Sequence, residues 1–278
     1  MAVVFELWKR NLRAFWRNKP ALIFNLIFPF FFIFVFAEIF RNDYIENAIS
    51  FMLAGIIIAV VFDSAIRISS NTIDDMTSGF MKEVLVSPVS RLTIAIGQFA
   101  SSATVAAVQG IIIFIVGFAI GLRITTPLTI LYALLAMIFV GLVFAGFGLF
   151  LATRAKNIQT FQAVSMAITM PMTFLSGAYI PLSMLNDFLT TIAYFNPMTY
   201  AVILFRSIVL ERMEDSTEQL LVQELAFEVG NFTIEPIHAA LILVIFGVIF
   251  LTLSTISFVR LDFSKMNRNK KDSFMEDL

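Results

Sequence analysis

Few side chains in this sequence could perform chemistry, and the common catalytic and metal-binding sets are missing. Cysteine is absent and His238 is the single histidine, so thiolate metal sites, cysteine nucleophiles and histidine clusters are excluded. Neither a GxxxxGK(S/T) phosphate loop nor an HExxH zinc motif occurs. We therefore expect a chain that is not an enzyme, has no ATPase site and binds no cofactor or metal of its own.

One charged pair has a spacing that suggests an interaction. Asp63 and Arg67 lie four residues apart near the end of an apolar segment, which places them on one helix face and predicts an ion pair. The simpler interpretation is a pair that snorkels to the membrane interface. The functional interpretation is a gate at the cytoplasmic end of that segment.

The polar connection 69–93 contains a second group of candidate residues. An acidic pair precedes a short amphipathic helix that we predict over residues 76–85. The helix should end at a Ser-Pro step, because the residue before proline is disfavoured in the helical region. An ordinary interfacial helix between two spans would give the same pattern. The candidate contact residues are Asp74, Asp75, Gly79, Lys82, Glu83, Leu85, Ser87 and Pro88.

A third group is polar but uncharged and lies in the first half of a long apolar segment. Its members are Gln98, Ser101, Ser102 and Gln109. Buried amides and hydroxyls usually hydrogen-bond between helices. The alternative is that they line a cargo path, and a largely apolar path would suit an amphipathic or lipid-like cargo.

These residues must be positioned by membrane-spanning helices. Of 278 residues 59% are hydrophobic and 14% are charged, against about 25% charged in soluble domains. A span needs roughly 20 apolar residues. We predict an all-α integral membrane protein that forms a single domain over residues 1–278. Its six transmembrane helices are placed at residues 21–40, 49–68, 94–122, 128–153, 161–180 and 237–259.

The N-terminal segment 2–19 has helical spacing of apolar residues, with basic residues on its other faces. Trp8 and Trp16 are typical interface anchors. We predict an amphipathic helix in the membrane interface; a plain basic flank of the first span is the alternative.

The distribution of lysine and arginine predicts the orientation of the chain. With six spans, fifteen of the nineteen basic residues fall on the side that holds both termini. The positive-inside rule places that side in the cytoplasm. The net charge of −1 suggests no nucleic-acid partner.

Residues 177–236 are harder to place. The stretch 188–210 is apolar enough to be a seventh span, but Asn196-Pro197 interrupts it. A seventh span would also move the basic tail outside, against the charge rule. We therefore predict short re-entrant helices in or over the outer leaflet, followed by an external amphipathic helix and loop.

Two ordered motifs make the chain resemble the permeases of type-2 ATP-binding-cassette (ABC) exporters, in the drug and antibiotic export branch. The first motif is the acidic pair, Gly79, Glu83, Leu85 and the Ser87-Pro88 step; Phe80 departs from it, since the family usually has threonine there. The second motif is an external signature that begins at the end of the fifth predicted span. It consists of Ser176, Gly177, Pro181, Asn196, Pro197 and Arg206.

The resemblance implies an assembly and a mechanism. A homodimer of the permease would bind two separate ATPase subunits, which hold ATP and Mg²⁺. Residues 74–88 would form a coupling helix in a groove of the ATPase, with the N-terminal helix nearby. Cargo would leave the cytoplasm between the two permease copies, in the cell membrane of a prokaryote.

Other classes of membrane protein are less well supported. A secondary transporter driven by an ion gradient would be expected to have carboxylates near the middle of the membrane, and the predicted spans have none there. An intramembrane enzyme lacks its catalytic sets. A channel-like protein is disfavoured only by the two motifs.

Overall fold

The computed structural model describes residues 2–20, 23, 27, 29–31, 48–78 and 90–260. Its elements are almost all helical. In chain order they are α1 (Ala2–Arg17), α2 (Ala48–Ile68), α3 (Ser70–Thr77), α4 (Arg91–Ile120), α5 (Pro127–Arg154), α6 (Ile158–Phe174), a 3-10 helix (Leu182–Met184), α7 (Asp187–Tyr194), α8 (Pro197–Val209), α9 (Thr217–Val222), β1 (Phe227–Val229), β2 (Phe232–Ile234) and α10 (Pro236–Val259).

Four helices in the described part of the chain are long and apolar enough to cross a membrane. They are Ile49–Met76, which joins α2 to α3, together with α4, α5 and α10. Proline at the first position of α5 and α10 suits a helix start, because its missing N–H needs no partner there. These helices match four of the predicted spans, so the helical multi-span architecture is confirmed.

The other two predicted spans are not established. The predicted span 21–40 falls mostly outside the described residues. The predicted span 161–180 corresponds to α6, which has 17 residues and ends at Phe174, because the chain then turns at Gly177 with a φ of +83°. The number of spans among the described residues is therefore four, or five if α7 and α8 count as one broken span.

The long helices pack as an antiparallel bundle. Helix α5 contacts α10, α4 and α2, and α2 packs against both α4 and α5. Phe62 of α2 and Phe144 of α5 meet edge to face, with ring centroids 4.5 Å apart. The guanidinium Nη1 of Arg91, at the start of α4, lies 2.6 Å from the carbonyl of Val259, at the end of α10. We call the end of the bundle that holds these two residues proximal and the opposite end distal.

The distal elements differ in part from expectation. Helices α7 and α8 meet at Asn196 with a bend of 83°. The segment expected as an external helix and loop contains α9, but it also contains a hairpin in which Phe227 pairs with Ile234. Gly230, with a φ of +61°, permits the two-residue turn between the strands. The purely α-helical expectation missed this hairpin.

Candidate functional site

A buried polar cluster joins three helices at the proximal end. Asp75 of α3 is 6% exposed, and its carboxylate lies 2.5 Å from the Arg10 guanidinium of α1. The Gln98 amide of α4 donates to the same oxygen at 3.3 Å. Asn11 donates to Gln98 at 3.3 Å and accepts from Arg10 at 3.2 Å. These four side chains, Arg10, Asn11, Asp75 and Gln98, are called the proximal cluster below.

Helix α1 has further attachments to the bundle. Trp8 donates its indole N–H to the Thr104 hydroxyl of α4 at 3.0 Å, and the Phe15 side chain is buried. Trp16 and Phe5 remain about half exposed. One face of α1 is therefore fixed to α4, and a second face carries the aromatic residues that suit a membrane interface.

The predicted coupling segment is only partly within the described residues. Asp74 is exposed and Asp75 is buried, although the two are adjacent. Helix α3 ends at Thr77, and the Ser78 amide donates to the Asp74 carbonyl at 2.8 Å. The predicted helix start at Met76 is therefore wrong, because α3 already contains the acidic pair. The remaining contact residues lie outside the described part: Gly79, Lys82, Glu83, Leu85, Ser87 and Pro88.

Asp63 and Arg67 form the ion pair that their spacing predicts. The Arg67 guanidinium lies 3.3 Å from the Asp63 carboxylate. The Arg67 side chain is 41% exposed, and the Asp63 side chain is 50% exposed. Most of α2 is buried, so this pair marks a narrow open strip on an otherwise covered helix. Arg67 also lies 3.4 Å from the Ser64 hydroxyl, which donates to Gln109 of α4.

The four polar residues predicted in α4 all lie inside the bundle. Gln98, Ser101, Ser102 and Gln109 are 1–4% exposed. Gln98 belongs to the proximal cluster, Gln109 accepts from α2, and Ser101 donates to the Gly97 carbonyl of its own helix. Both glutamines therefore form hydrogen bonds between helices, which is one of the two roles expected for these residues; the other was to line a cargo path.

Arg206 of α8 forms a clamp at the distal end. Its side chain is 2% exposed and donates to the carbonyls of Gly177 at 2.8 Å and Phe51 at 3.2 Å. Its Cζ lies 3.5 Å from the centroid of the Phe51 ring. Among the described residues no carboxylate lies within ion-pair distance of it. Carbonyl oxygens and an aromatic face contact the guanidinium, and the more distant Glu224 carboxylate adds a favourable Coulomb interaction.

Glycine at position 55 makes this clamp possible. A Cβ there would overlap the Ala178 carbonyl oxygen and would lie 2.7 Å from the Arg206 guanidinium. The turn after α6 therefore approaches α2 at backbone distance. A larger residue would push the turn and the arginine away from α2.

The rest of the predicted external motif surrounds the clamp. Asn196 donates to the Met172 carbonyl of α6 at 2.6 Å and accepts from the Met198 amide, which caps α8. Ser176 donates to Thr173 and accepts from the Ala178 amide. Pro197 is the first residue of α8, and Pro181 precedes the 3-10 helix. The structure thus brings Ser176, Gly177, Asn196 and Arg206 into one network around α8.

Glu211 was not singled out from the sequence. It follows α8 with a φ of +58°, and the Arg212 amide closes the helix end by donating to Ser207 at 2.9 Å. Its carboxylate accepts from the Thr126 amide at 2.7 Å, at the start of α5. The hydrogen bond from the Thr125 hydroxyl, reinforced by backbone amides of the same turn, lowers the pKa of Glu211 to about 2.

A sequence signal pointed to only one side of this contact. Thr125-Thr126-Pro127 has the composition of a helix start, where free amides attract a carboxylate. The partner lies 85 residues away along the chain, and no local pattern connects the two positions.

Two exposed helix faces differ in chemistry. Helix α10 exposes only apolar side chains along most of its length, such as Leu241, Ile245 and Val248 at 58–60%. Helix α6 exposes a mixed face that includes Gln162 and Met166. An amide on a lipid-facing surface is costly, so the α10 face suits hydrocarbon and the α6 face suits another environment.

Apolar helices of membrane-spanning length, an amphipathic first helix and a distal broken helix pair define a multi-pass helical membrane protein. The ABC-2 type transporter family matches residues 2–210. The chain therefore belongs to the ABC-2 type transporter family, and it is a membrane permease subunit of an ABC transporter. Membership implies an ABC ATPase subunit as its partner.

Individual relatives agree with this assignment. A ycf38 protein of Cyanophora paradoxa, named as a transport permease, is 24% identical over 255 residues, 88% of this chain and 85% of that one. Nodulation protein J of Rhizobium leguminosarum bv. viciae is 28% identical over 219 residues, 73% and 81% of the two chains. The same protein of bv. trifolii is 35% identical over 117 residues, 42% and 44%.

Proposed function

We propose that the chain is the permease of an ATP-driven exporter, in which two copies bind two ATPase subunits and move an amphipathic or lipid-like cargo out of the cytoplasm. ATP and Mg²⁺ bind only to the ATPase subunits. The proximal end faces the cytoplasm and holds both termini, and the complex lies in the cell membrane of a prokaryote.

The proximal cluster is the observation that carries this proposal. Helix α3 directly precedes residues 79–89, where the ATPase would bind, and Asp75 fastens α3 to α1 and α4. A force applied at residues 79–89 would therefore reach α4 through the hydrogen bonds and ion pair of the buried Asp75 carboxylate, rather than through a loop without such contacts. Leaving the buried Asp75 carboxylate without its partners is costly, which favours movement of the three helices as one unit.

The open strip on α2 and the mixed face of α6 support a cargo path between two copies. Both helices are in contact, and both present polar groups that a lipid-facing surface would disfavour. Methionine side chains such as Met166 and Met170, which are 66% and 52% exposed, adapt to cargo of irregular shape. In this proposal the Asp63–Arg67 pair acts as a gate of the cargo path. The helices that line the path are held together by buried polar residues, which are Gln98, Ser101, Ser102 and Gln109.

The coupling role is tested by substitution within the contact segment. Leu85 would be an apolar anchor in the ATPase groove and Glu83 a charge at its rim. Truncating a buried anchor commonly costs more than about 1 kcal/mol, and a rim charge costs less. Leu85→Asp should therefore weaken co-purification of the ATPase more than Glu83→Ala, and both variants should lower transport.

The control is the permease alone, which should insert normally as either variant and should hydrolyse no ATP. Normal co-purification together with normal transport for Leu85→Asp would eliminate the coupling role. ATP hydrolysis by the isolated permease would contradict the division of labour between the subunits.

A further inference from the structure

A strip of polar side chains runs along the helix that α2 and α3 form together. Its members, which we call the polar strip, are Asp63, Arg67, Asn71 and Asp74. They recur at intervals of three or four residues and therefore share one helix face. All four are partly or fully exposed, whereas most residues between them are buried. Beyond Val60, residues 50–59 are all buried, so the strip is open at the proximal end and closed in the distal direction.

Contacts between α2 and α5 give the depth of the polar strip. A Cβ atom at Gly148 of α5 would lie 2.7 Å from the Cα of Ile66, so these two residues are at the same level. Gly148 comes six residues before Arg154, the proximal end of α5, and Asp63 is three residues farther from that end than Ile66. With a rise of ~1.5 Å per residue, Asp63 lies about 13 Å inside the end of α5.

This depth places Asp63 within the hydrocarbon layer. Helix α5 has 28 residues and is about 40 Å long, which exceeds the ~30 Å layer by about 10 Å. Even with the whole excess at the proximal end, Asp63 would lie inside the layer. Its short side chain is directed toward the N-terminus of its helix, which is the distal end of α2. Snorkelling to the proximal interface therefore does not account for the ion pair.

A half-exposed ion pair at this depth needs surroundings other than acyl chains. Charged side chains within the hydrocarbon layer are costly, and they face the interior of a bundle or a water-filled cavity. The Asp63 and Arg67 side chains are 50% and 41% exposed, so the described residues do not enclose them. The polar strip therefore lines a hydrated cavity that opens at the proximal end.

Aromatic side chains lie near the inner end of this cavity. Tyr179 follows Ala178, whose carbonyl oxygen packs on Gly55 of α2, about two helical turns from Asp63. The Asp63 carboxylate acts electrostatically on Tyr179, and the rings of Tyr179 and Phe174 have centroids 5.4 Å apart. Helix α6, which contacts both α2 and α3, contains no acidic or basic residue. The innermost charge of the polar strip is therefore a carboxylate near an aromatic pair.

We propose that the inner end of this cavity binds the positively charged group of an amphipathic organic cation. Asp63 would pair with the cation, and the ring faces of Tyr179 and Phe174 would contact it, since aromatic faces attract cations such as ammonium groups. The polar strip holds two carboxylates and one guanidinium, and this excess of negative charge also favours a cation. The inference rests on the proposed cargo path and adds to it the charge of the cargo.

The Asp63–Arg67 contact then has a defined part in binding. Arg67 neutralises Asp63 while the cavity is empty. An entering cation replaces the guanidinium, and the long arginine side chain moves toward Asn71, one turn closer to the proximal end. The gate of the proposed function is in this way opened by the charge of the cargo itself.

Two probes of the same shape and opposite charge test the proposal. Tetraphenylphosphonium and tetraphenylborate each carry four phenyl groups. Their saturable binding to the purified permease in dodecyl maltoside micelles is measured by equilibrium dialysis, with protein-free micelles as the blank. The variants are Asp63→Asn, Asp63→Glu and Arg67→Gln, and the matched control is Asp187→Asn, which removes an exposed carboxylate from α7 at the distal end.

Tetraphenylphosphonium should bind to the native permease, to Asp63→Glu and to Asp187→Asn. Asp63→Asn should weaken its binding by about tenfold or more, the effect of losing one charged contact. Equal binding by the native chain and Asp63→Asn would show a site that does not read charge and would overturn the proposal. Saturable tetraphenylborate binding that is lost in Arg67→Gln would show an anion site and would also overturn it.

A second measurement leaves the ion pair intact, and the absence of cysteine makes it direct. Val60→Cys, next to the inner end of the polar strip, should react faster with aminoethyl methanethiosulfonate, a cation, than with the sulfonatoethyl reagent, an anion. Ser216→Cys in the distal region gives the reference ratio of the two rates. Tetraphenylphosphonium should slow the reaction at position 60 alone. A rate ratio equal to that of position 216, or no protection by tetraphenylphosphonium, would contradict a cation site.

Neither measurement requires the ATPase or transport, so failure of the exporter function can be told apart from failure of the site. Tetraphenylphosphonium binding without ATP-driven export by the complete complex would contradict the exporter function but would still support the cation site. Export of tetraphenylphosphonium that is unchanged in Asp63→Asn would overturn the cation site alone.

Discussion

At the scale of single residues, the two adjacent aspartates of α3 have opposite environments. Asp75 is buried and bonded to Arg10 and Gln98, whereas Asp74 is exposed. The pair gives a matched comparison, because both residues have the same chemistry and lie in the same helix. Only Asp75 is expected to hold α1 and α3 together.

Asp75→Asn should lower the stability of the permease in detergent by about 1–3 kcal/mol, since charged hydrogen bonds contribute in that range. The expected loss is modest because the Arg10 side chain is 36% exposed, and water can solvate it in the variant. Thermal unfolding monitored by aggregation measures the change. Asp74→Asn is the control and should be nearly silent; equal losses for the two variants would contradict a specific role for the proximal cluster.

Glu211 should make stability depend on pH at the distal end. Its folded-state pKa of about 2 lies below the ordinary value near 4.3. The stabilisation is therefore present above about pH 4.3 and is lost as the pH falls toward 2. Unfolding of the native chain and of Glu211→Gln, followed from pH 7 to pH 2.5, should show a difference that shrinks in that window. A difference independent of pH would mean that the charge contributes nothing.

At the scale of elements, α8 is held to three neighbours by polar contacts near its ends. Asn196 connects α8 to α6, and Arg206 connects it to α2 and to the turn after α6. Glu211, which follows the C-terminal end of α8, connects it to α5. These contacts join the distal ends of helices that are far apart in sequence. We expect this part of the permease to behave as one rigid body.

Gly55→Ala tests this distal connection. The added methyl group would overlap the Ala178 carbonyl and crowd Arg206, and such overpacking typically costs about 1–3 kcal/mol. Gly117→Ala in α4 is the matched control, because its methyl group would lie 3.4 Å from Leu122, an ordinary contact. Both changes raise helix propensity equally. A lower melting temperature is expected for position 55 alone, and equal melting temperatures would argue against a tight clamp.

At the scale of the whole molecule, the arrangement of the chain across the membrane is the main prediction. Fifteen of nineteen basic residues lie on the predicted cytoplasmic side, which includes α1 and the proximal cluster. The distal hairpin and α9 should then face outward. The mixed face of α6 and the apolar face of α10 should meet different surroundings in the assembled complex.

Cysteine labelling in intact cells measures this arrangement without removal of native cysteines. A cysteine in place of Ser216, in the distal region, should react with an impermeant maleimide added outside. A cysteine in place of Asp272 should react only after the membrane is opened. Reaction of position 216 from the cytoplasmic side would contradict the six-span arrangement and would favour a seventh span.

The sequence by itself determined the class of protein, the long helices and the family. Long apolar segments can be satisfied in lipid only as helices, so four spans could be placed to within a few residues. The i, i+4 spacing predicted the Asp63–Arg67 pair, and Asn196-Pro197 predicted the break before α8. Each of these signals is local, because it depends on residues that are close to each other in the sequence.

Only the tertiary structure decided which polar residues meet. Asp75 and Arg10 are 65 residues apart, and Glu211 and Thr126 are 85 residues apart. Their contacts depend on how antiparallel helices pack and on the turns between them. The same holds for the start of α3 before the acidic pair and for the end of α6 at Phe174, before the turn at Gly177. Apolar periodicity predicts that a side chain is buried, but the tertiary structure decides which residues bury it.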